Sequence, residues 1–253
     1  MPALLATLLL LLPLLAMLLR APWADLPRLL AQPEVRTALR LSLLCATAAT
    51  GISLLLGVPL AWVLARSQAR GIPLLRALVT VPLVLPPVVG GIALLLAFGR
   101  EGVVGRWLEQ WFGFSLPFTT LGVIVAETFV AMPFLVVSVE GALRAAGQDL
   151  EEAAATLGAS RARAFRLVTL PHVFPALVAG AVLCWARALG EFGATITFAG
   201  SFPGTTQTMP LAAYLAMQTE PDAAVALSLV LLFVCLLVLV GLRERWWPHG
   251  GDA

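Results

Sequence analysis

Apolar residues in this chain gather into long runs, and polar residues gather between them. The runs fall at Leu4–Leu19, Leu39–Ala65, Ala77–Phe98, Thr119–Ser138, Val173–Phe198 and Ala223–Leu242. Each is close to the ~20 residues a helix needs to cross a hydrocarbon layer of about 30 Å. None alternates apolar with polar as a membrane barrel strand does, and lipid tolerates only helices or closed barrels. The pattern therefore predicts an all-α, polytopic helix bundle with about six transmembrane spans. The first run has no basic residue ahead of it and no small-x-small cleavage site behind it, so it is expected as a span and not as a signal peptide.

Composition agrees with the pattern. Of 253 residues, 60% are hydrophobic and 12% charged, against about 45–50% and about 25% in soluble domains. One bundle, 1–253, is the expected domain. Within it, 1–38 is an extra N-terminal span with an outer segment, 39–245 a core, and 144–171 a polar loop.

All 16 basic residues are arginine, and their placement sets the orientation. With the N-terminus inside, Arg66, Arg70, Arg76, Arg144, Arg161, Arg163, Arg166, Arg243 and Arg245 are cytoplasmic. Arg20, Arg28, Arg36, Arg40, Arg100 and Arg106 then lie outside, so nine inner arginines face six outer ones and the 144–171 loop is cytoplasmic. Glu34 to Arg40 is expected as an interfacial helix.

The chemistry that is missing narrows the function. Cys45, Cys184 and Cys235 lie in separate apolar runs and read as small core residues. His172 and His249 stand alone without metal-ligand spacing, so no metal site is expected. No glycine-rich phosphate loop is present, so no cofactor or nucleotide is expected in this chain.

Proline and glycine interrupt the spans at Gly57-Val58-Pro59, at Pro82, at Pro86-Pro87 followed by Gly90-Gly91, and at Pro133. Four unusual backbone positions coincide at Pro86, Pro87, Gly90 and Gly91, which predicts a break that a substrate path could use. Arg187 and Glu191 are four apart on the fifth run, on one helical face, where an ion pair lowers the cost of holding both charges in lipid. That pair is either a structural tie or part of an outer gate. Glu127 is a further acid within a span, and the sequence names no partner for it. Thr195 and Thr197 point to different sides of a helix, so at most one of them faces a given path.

The polar loop carries the most specific signal. From Gln148 it reads as a short helix with acids in its first turn, where the helix dipole favours them, and Gly158 ends it. Glu152 offers a carboxylate, and Ala153 and Ala154 keep one face thin. A second helical segment from Arg161 runs into Leu170 and Pro171 at the foot of the next span.

Glu152-Ala153-Ala154, three residues, Gly158, nine residues, then Val168-Thr169-Leu170-Pro171 resembles the EAA loop of membrane subunits of prokaryotic ABC importers. The spacing matches at every anchor, with Val168 standing for isoleucine. The resemblance implies a type I ABC importer permease fold. It also implies that Glu152, Ala153, Ala154, Gly158, Leu170 and Pro171 couple the chain to a separate ATP-hydrolysing cassette subunit. Ala188-Leu-Gly-Glu191-Phe-Gly193-Ala-Thr195-Ile-Thr197-Phe198 is similar to the signature of molybdate permeases, the ModB family. Val81-Pro-Leu-Val-Leu-Pro-Pro-Val-Val-Gly90 is similar to the same family, and the likeness covers roughly Leu39 to Arg245.

That resemblance implies a multi-pass subunit of the cell membrane, paired with a second copy of itself. Its cargo would be delivered by an extracytoplasmic molybdate-binding protein contacting outer loops such as Ser201 to Pro221. Pro86, Pro87, Arg187, Glu191, Thr195 and Thr197 are its expected path or gate residues. Hydroxyls and helix ends suffice for a transient oxyanion path. Sulfate, thiosulfate or tungstate permeases of the same architecture are the near alternative. A self-sufficient secondary transporter would need internal repeats, and no second copy of the Pro86-Pro87 or Glu152 pattern occurs. A non-transporting scaffold leaves the loop spacing as coincidence, and nothing points to nucleic acid.

Overall fold

The computed structural model describes residues 1–246. It is all helical among the described residues: α1 (Pro2–Leu19), α2 (Leu26–Ala31), α3 (Pro33–Arg66), α4 (Ile72–Val84), α5 (Pro87–Phe98), α6 (Gly105–Phe112), α7 (Thr120–Ala145), α8 (Asp149–Thr156), α9 (Arg161–Ala164), α10 (Leu170–Leu189), α11 (Gly193–Phe198), α12 (Met209–Thr219) and α13 (Pro221–Trp246). A π-helical stretch, Phe165–Thr169, joins α9 to α10 without a break. Five helical segments are long and apolar enough to cross a membrane, and α4 with α5 makes a sixth if that bent pair is one span.

The core is built on α3, α7 and α10. The face α3 turns inward is Ser42, Cys45, Ala46, Ala49, Ser53, Gly57 and Ala61, a seam of small side chains at helical spacing. Small residues let helix backbones approach closely where no hydrophobic force drives association. Leu135, Val136 and Val139 of α7 and Cys184, Ala188 and Leu189 of α10 fill the space opposite. At about 51 Å, α3 is longer than the hydrocarbon layer and projects beyond it. By contrast α1 buries no residue of its own.

Topology follows from which ends meet. Arg66, at the end of α3, donates to the carbonyl of Leu143 near the end of α7, so these two helices run parallel. The chain must therefore return to the opposite end between them. It starts back beside the end of α3, where Arg76 of α4 donates to the carbonyl of Leu64. It arrives at Thr119, whose hydroxyl caps α7 by accepting from Gly122 N–H. The α4–α5 pair lies on that return path and is bent by 119° between its two helices.

The run expected over Ala77–Phe98 is two helices, with the break at the Pro86-Pro87 position that the sequence predicts. Leu85 and Pro86 are both extended, with ψ of 129° and 131°. Each precedes a proline, whose ring disfavours the helical region for the residue before it, and Pro87 then opens the next helix.

Three other boundaries differ from the pattern. The fifth run is two helices, because α10 stops at Leu189 and α11 begins at Gly193. Glu34 to Arg40 is not a separate interfacial helix but the first turns of α3. The segment Ser201 to Pro221, expected as an outer loop, carries α12. Met209 and Leu211 of α12 are fully buried, and Met209 N–H donates to Ser42 Oγ of α3 at 2.8 Å.

Candidate coupling loop and membrane acid cluster

At the end of the bundle where α3 and α7 terminate, α8 lies across the helix ends. Asp149, Glu151 and Glu152 occupy its first turn, where they meet the positive end of the helix dipole. Gly158 closes it with φ of +82°, a backbone conformation that other residues adopt only at a cost. Glu152 and Ala153 are exposed and Ala154 is half-buried, and Glu152 also borders the cavity that α8 forms with Trp62, Arg66 and Phe165. Leu157 is 88% exposed beside them, an apolar side chain on a water-facing loop that the sequence pattern did not single out. Leu170 is half-buried and Pro171 exposed, on the first turn of α10.

The neighbouring acid does the opposite work. Glu151 Oε1 accepts from Arg66 Nη2 at 2.8 Å and from the Thr169 hydroxyl at 2.9 Å. Motif spacing drew attention to Glu152 and could not show that Glu151 ties the loop to α3 and to the π-helical stretch. A second tie lies nearby, where Glu140 Oε1 of α7 accepts from Arg76 Nε at 2.7 Å and from Arg144 Nε at 3.0 Å. The Arg66–Glu151 and Arg76–Glu140 contacts were invisible from periodicity, because their partners are 85 and 64 residues apart, whereas Glu140 and Arg144 stand one helical turn apart.

Deeper in the bundle, Arg187 Nη2 lies 2.6 Å from Glu191 Oε2, so the expected pair forms. Its geometry differs from the expectation of one helical face, since Glu191 sits just beyond the end of α10. There its other oxygen accepts from Ala194 N–H at 2.7 Å and caps α11. Glu127 of α7 is 1% exposed, and the structure gives it the neighbour the sequence could not: Glu191 lies near enough to act on it electrostatically. Glu127 Oε2 has no hydrogen-bond partner.

Thr195 is fully buried. Thr197 is half-buried and gives its hydroxyl proton to the Gly193 carbonyl at 2.8 Å. Gly91 of α5 packs against this segment so closely that a Cβ there would stand 2.6 Å from Thr197 Cβ. Pro86 and Pro87 are exposed at the break. The structure therefore gathers Arg187, Glu191, Glu127 and α11 into one cluster, with α5 braced on α11, and keeps the α8 loop separate from it. Cys45 and Cys184 are buried in the core. No group that could hold a metal ion occurs among the described residues. His172 is exposed, and His249 lies outside the described residues.

Comparison with known proteins places these features. Residues 54–247 match the family described as binding-protein-dependent transport system inner membrane component. The molybdenum transport system permease protein ModB of Mycobacterium tuberculosis is 52% identical over 252 residues, covering all of this chain and 95% of that protein. The sulfate transport system permease protein CysT of Salmonella typhimurium is 38% identical over 240 residues, covering 93% of this chain and 86% of that one. Among solved structures, a bacterial ABC transporter involved in the import of the acidic polysaccharide alginate superimposes with a TM-score of 0.76. It is 18% identical and covers 97% of this chain and 92% of that one. This helix bundle, matched over its whole length by ModB permeases, belongs to the family of binding-protein-dependent transport system inner membrane components, in its ModB branch.

Proposed function

We propose that this chain is the membrane-embedded half of an ATP-driven importer that moves molybdate into the cytoplasm. The single observation that carries the substrate is the 52% identity to a molybdenum transport permease along the entire chain, against 38% to a sulfate permease. The drive comes from a separate ATP-hydrolysing subunit that grips the exposed face of α8, where Glu152 offers charge and Leu157 offers apolar surface. Two copies form the path, since one bundle of this size encloses half of one. An extracytoplasmic binding protein delivers the oxyanion at the end opposite α8. The chain itself is a transport subunit and performs no bond chemistry.

The substrate site need not bind tightly, because a receptor supplies selectivity and strong binding would slow release. In the Arg187–Glu191–Glu127 cluster, Arg187 is already paired with Glu191, which leaves no unpaired positive charge there for a dianion to rest on. The cluster suits a gate or a tie. In cells carrying this chain, its ATP-hydrolysing subunit and its binding protein, uptake of labelled molybdate should be blocked by excess unlabelled molybdate and persist in tenfold excess sulfate. Equal competition by sulfate would move the assignment to the sulfate branch.

A further inference from the structure

We propose that Arg66 is a positioning residue for the coupling loop, fastening α8 to the long core helix α3 so that displacement of α8 is delivered to α3. The inference rests on the functional reading above. Covalently, α8 is loosely held. The connector before it contains Gly147 with φ of +68° and the connector after it contains Gly158 with φ of +82°. Packing holds it little better. No described side chain of α8 is buried, and behind it lies a cavity of about 350 Å³ lined by Trp62, Arg66, Ala155 and Phe165 among others. What remains is polar.

Arg66 supplies that attachment with two different nitrogens. Nη1 donates to the Leu143 carbonyl at 2.9 Å and Nη2 to Glu151 Oε1 at 2.8 Å, while the Thr169 hydroxyl donates to the same oxygen at 2.9 Å. One carboxylate oxygen therefore joins α3, α8 and the π-helical stretch that leads into α10, and the other arm of Arg66 adds α7. The planar guanidinium fork makes this possible, and a lysine would reach only one partner at a time. The Arg66 side chain is 9% exposed, so salt and water screen the pair far less than a surface ion pair. Arg66 is also the last residue of α3, the rod whose small-residue seam runs the depth of the core. A pull on α8 reaches that rod at its end.

The test uses the complete complex, reconstituted in proteoliposomes with its ATP-hydrolysing subunit and loaded binding protein. The readout is molybdate imported per ATP hydrolysed. Arg66→Gln should retain the ATP-hydrolysing subunit through purification while the ratio falls about tenfold, the change that a ~1.4 kcal/mol loss of coupling free energy produces. Arg66→Gln combined with Glu151→Gln should be no worse than either alone, because both remove the same tie. A residue that merely stabilises the fold would lower the yield of complex and leave the ratio unchanged. A wild-type ratio in the assembled Arg66→Gln complex overturns the inference.

If Arg66→Gln does not assemble, Glu151→Gln alone removes the charge that holds Arg66 Nη2 while keeping the side chain's shape. A lowered ratio in that variant supports the fastening, and a wild-type ratio overturns it. Failure of the wild-type chain to hold any ATP-hydrolysing subunit would overturn the functional reading itself, and this inference with it.

Discussion

Glu191 serves two partners, and replacing it in two ways separates them. One oxygen lies 2.6 Å from Arg187 and the other accepts from Ala194 N–H at 2.7 Å, on a side chain that is 1% exposed. Glu191→Gln keeps an oxygen for Ala194 and removes the charge. Arg187 is 28% exposed and can turn its head toward a more polar level, so its lost partner costs about 2 kcal/mol and not the ~3–5 kcal/mol of a fully trapped charge. Glu191→Ala also removes the cap, worth about 1 kcal/mol, and opens a cavity, for about 4 kcal/mol in all.

Cys184, fully buried on α10 two turns before Glu191, reports local opening by its rate of maleimide labelling once Cys45 and Cys235 are replaced by alanine. At tenfold per 1.4 kcal/mol, labelling should quicken about 30-fold in Glu191→Gln and roughly 1,000-fold in Glu191→Ala. Equal acceleration by the two variants would mean that the cap holds nothing. No acceleration by either would refute both contacts.

Three further outcomes follow from specific contacts. Gly91→Ala places a Cβ 2.6 Å from Thr197 Cβ and 2.9 Å from the Ala194 carbonyl, so α5 and α11 must separate. It should cost about 2 kcal/mol and lower the melting temperature in detergent, while Gly51→Ala, with nothing within 4 Å, should not. Glu140→Gln weakens the acceptor shared by Arg76 and Arg144 and should cost about 2 kcal/mol in the same melting assay. Arg144→Ala should cost less than about 1 kcal/mol, because its side chain is 52% exposed. Leu157→Asp, at an 88% exposed position, should leave melting unchanged and reduce the amount of ATP-hydrolysing subunit that co-purifies.

The spans and the loop were legible because each is written locally. Lipid imposes a length on apolar runs, and the anchors from Glu152 to Pro171 stand at fixed spacing within one connector. Helix breaks were only half legible. Pro86-Pro87 announced a break but not a 119° turn, because the final angle depends on α5 bracing against α11 through Gly91. The stop of α10 at Leu189 was hidden, since Gly190 and Glu191 sit in a run that stays apolar to Phe198. Here Glu191 capping Ala194 decides the local structure more than hydropathy does.

The burial of α12 was missed for a similar reason. Met209 to Thr219 is short and follows a glycine- and threonine-rich stretch, so it resembles a loop until the Ser42 hydroxyl is found beneath Met209 N–H. Among the acids, motif spacing distinguished Glu152, which is exposed. Only tertiary structure shows that Glu151 accepts from Arg66 and that Glu127 is buried without a partner for its Oε2.

The most direct measurement is uptake of labelled molybdate into proteoliposomes holding this chain, assembled with and without its ATP-hydrolysing subunit, in the presence of loaded binding protein. Uptake should require both the subunit and ATP, and should vanish when a bulky adduct is placed on Ala153→Cys at the exposed face of α8. Accumulation of molybdate by the chain alone, or undiminished ATP-driven uptake with that adduct in place, would contradict the assignment of α8 as the point through which transport is driven.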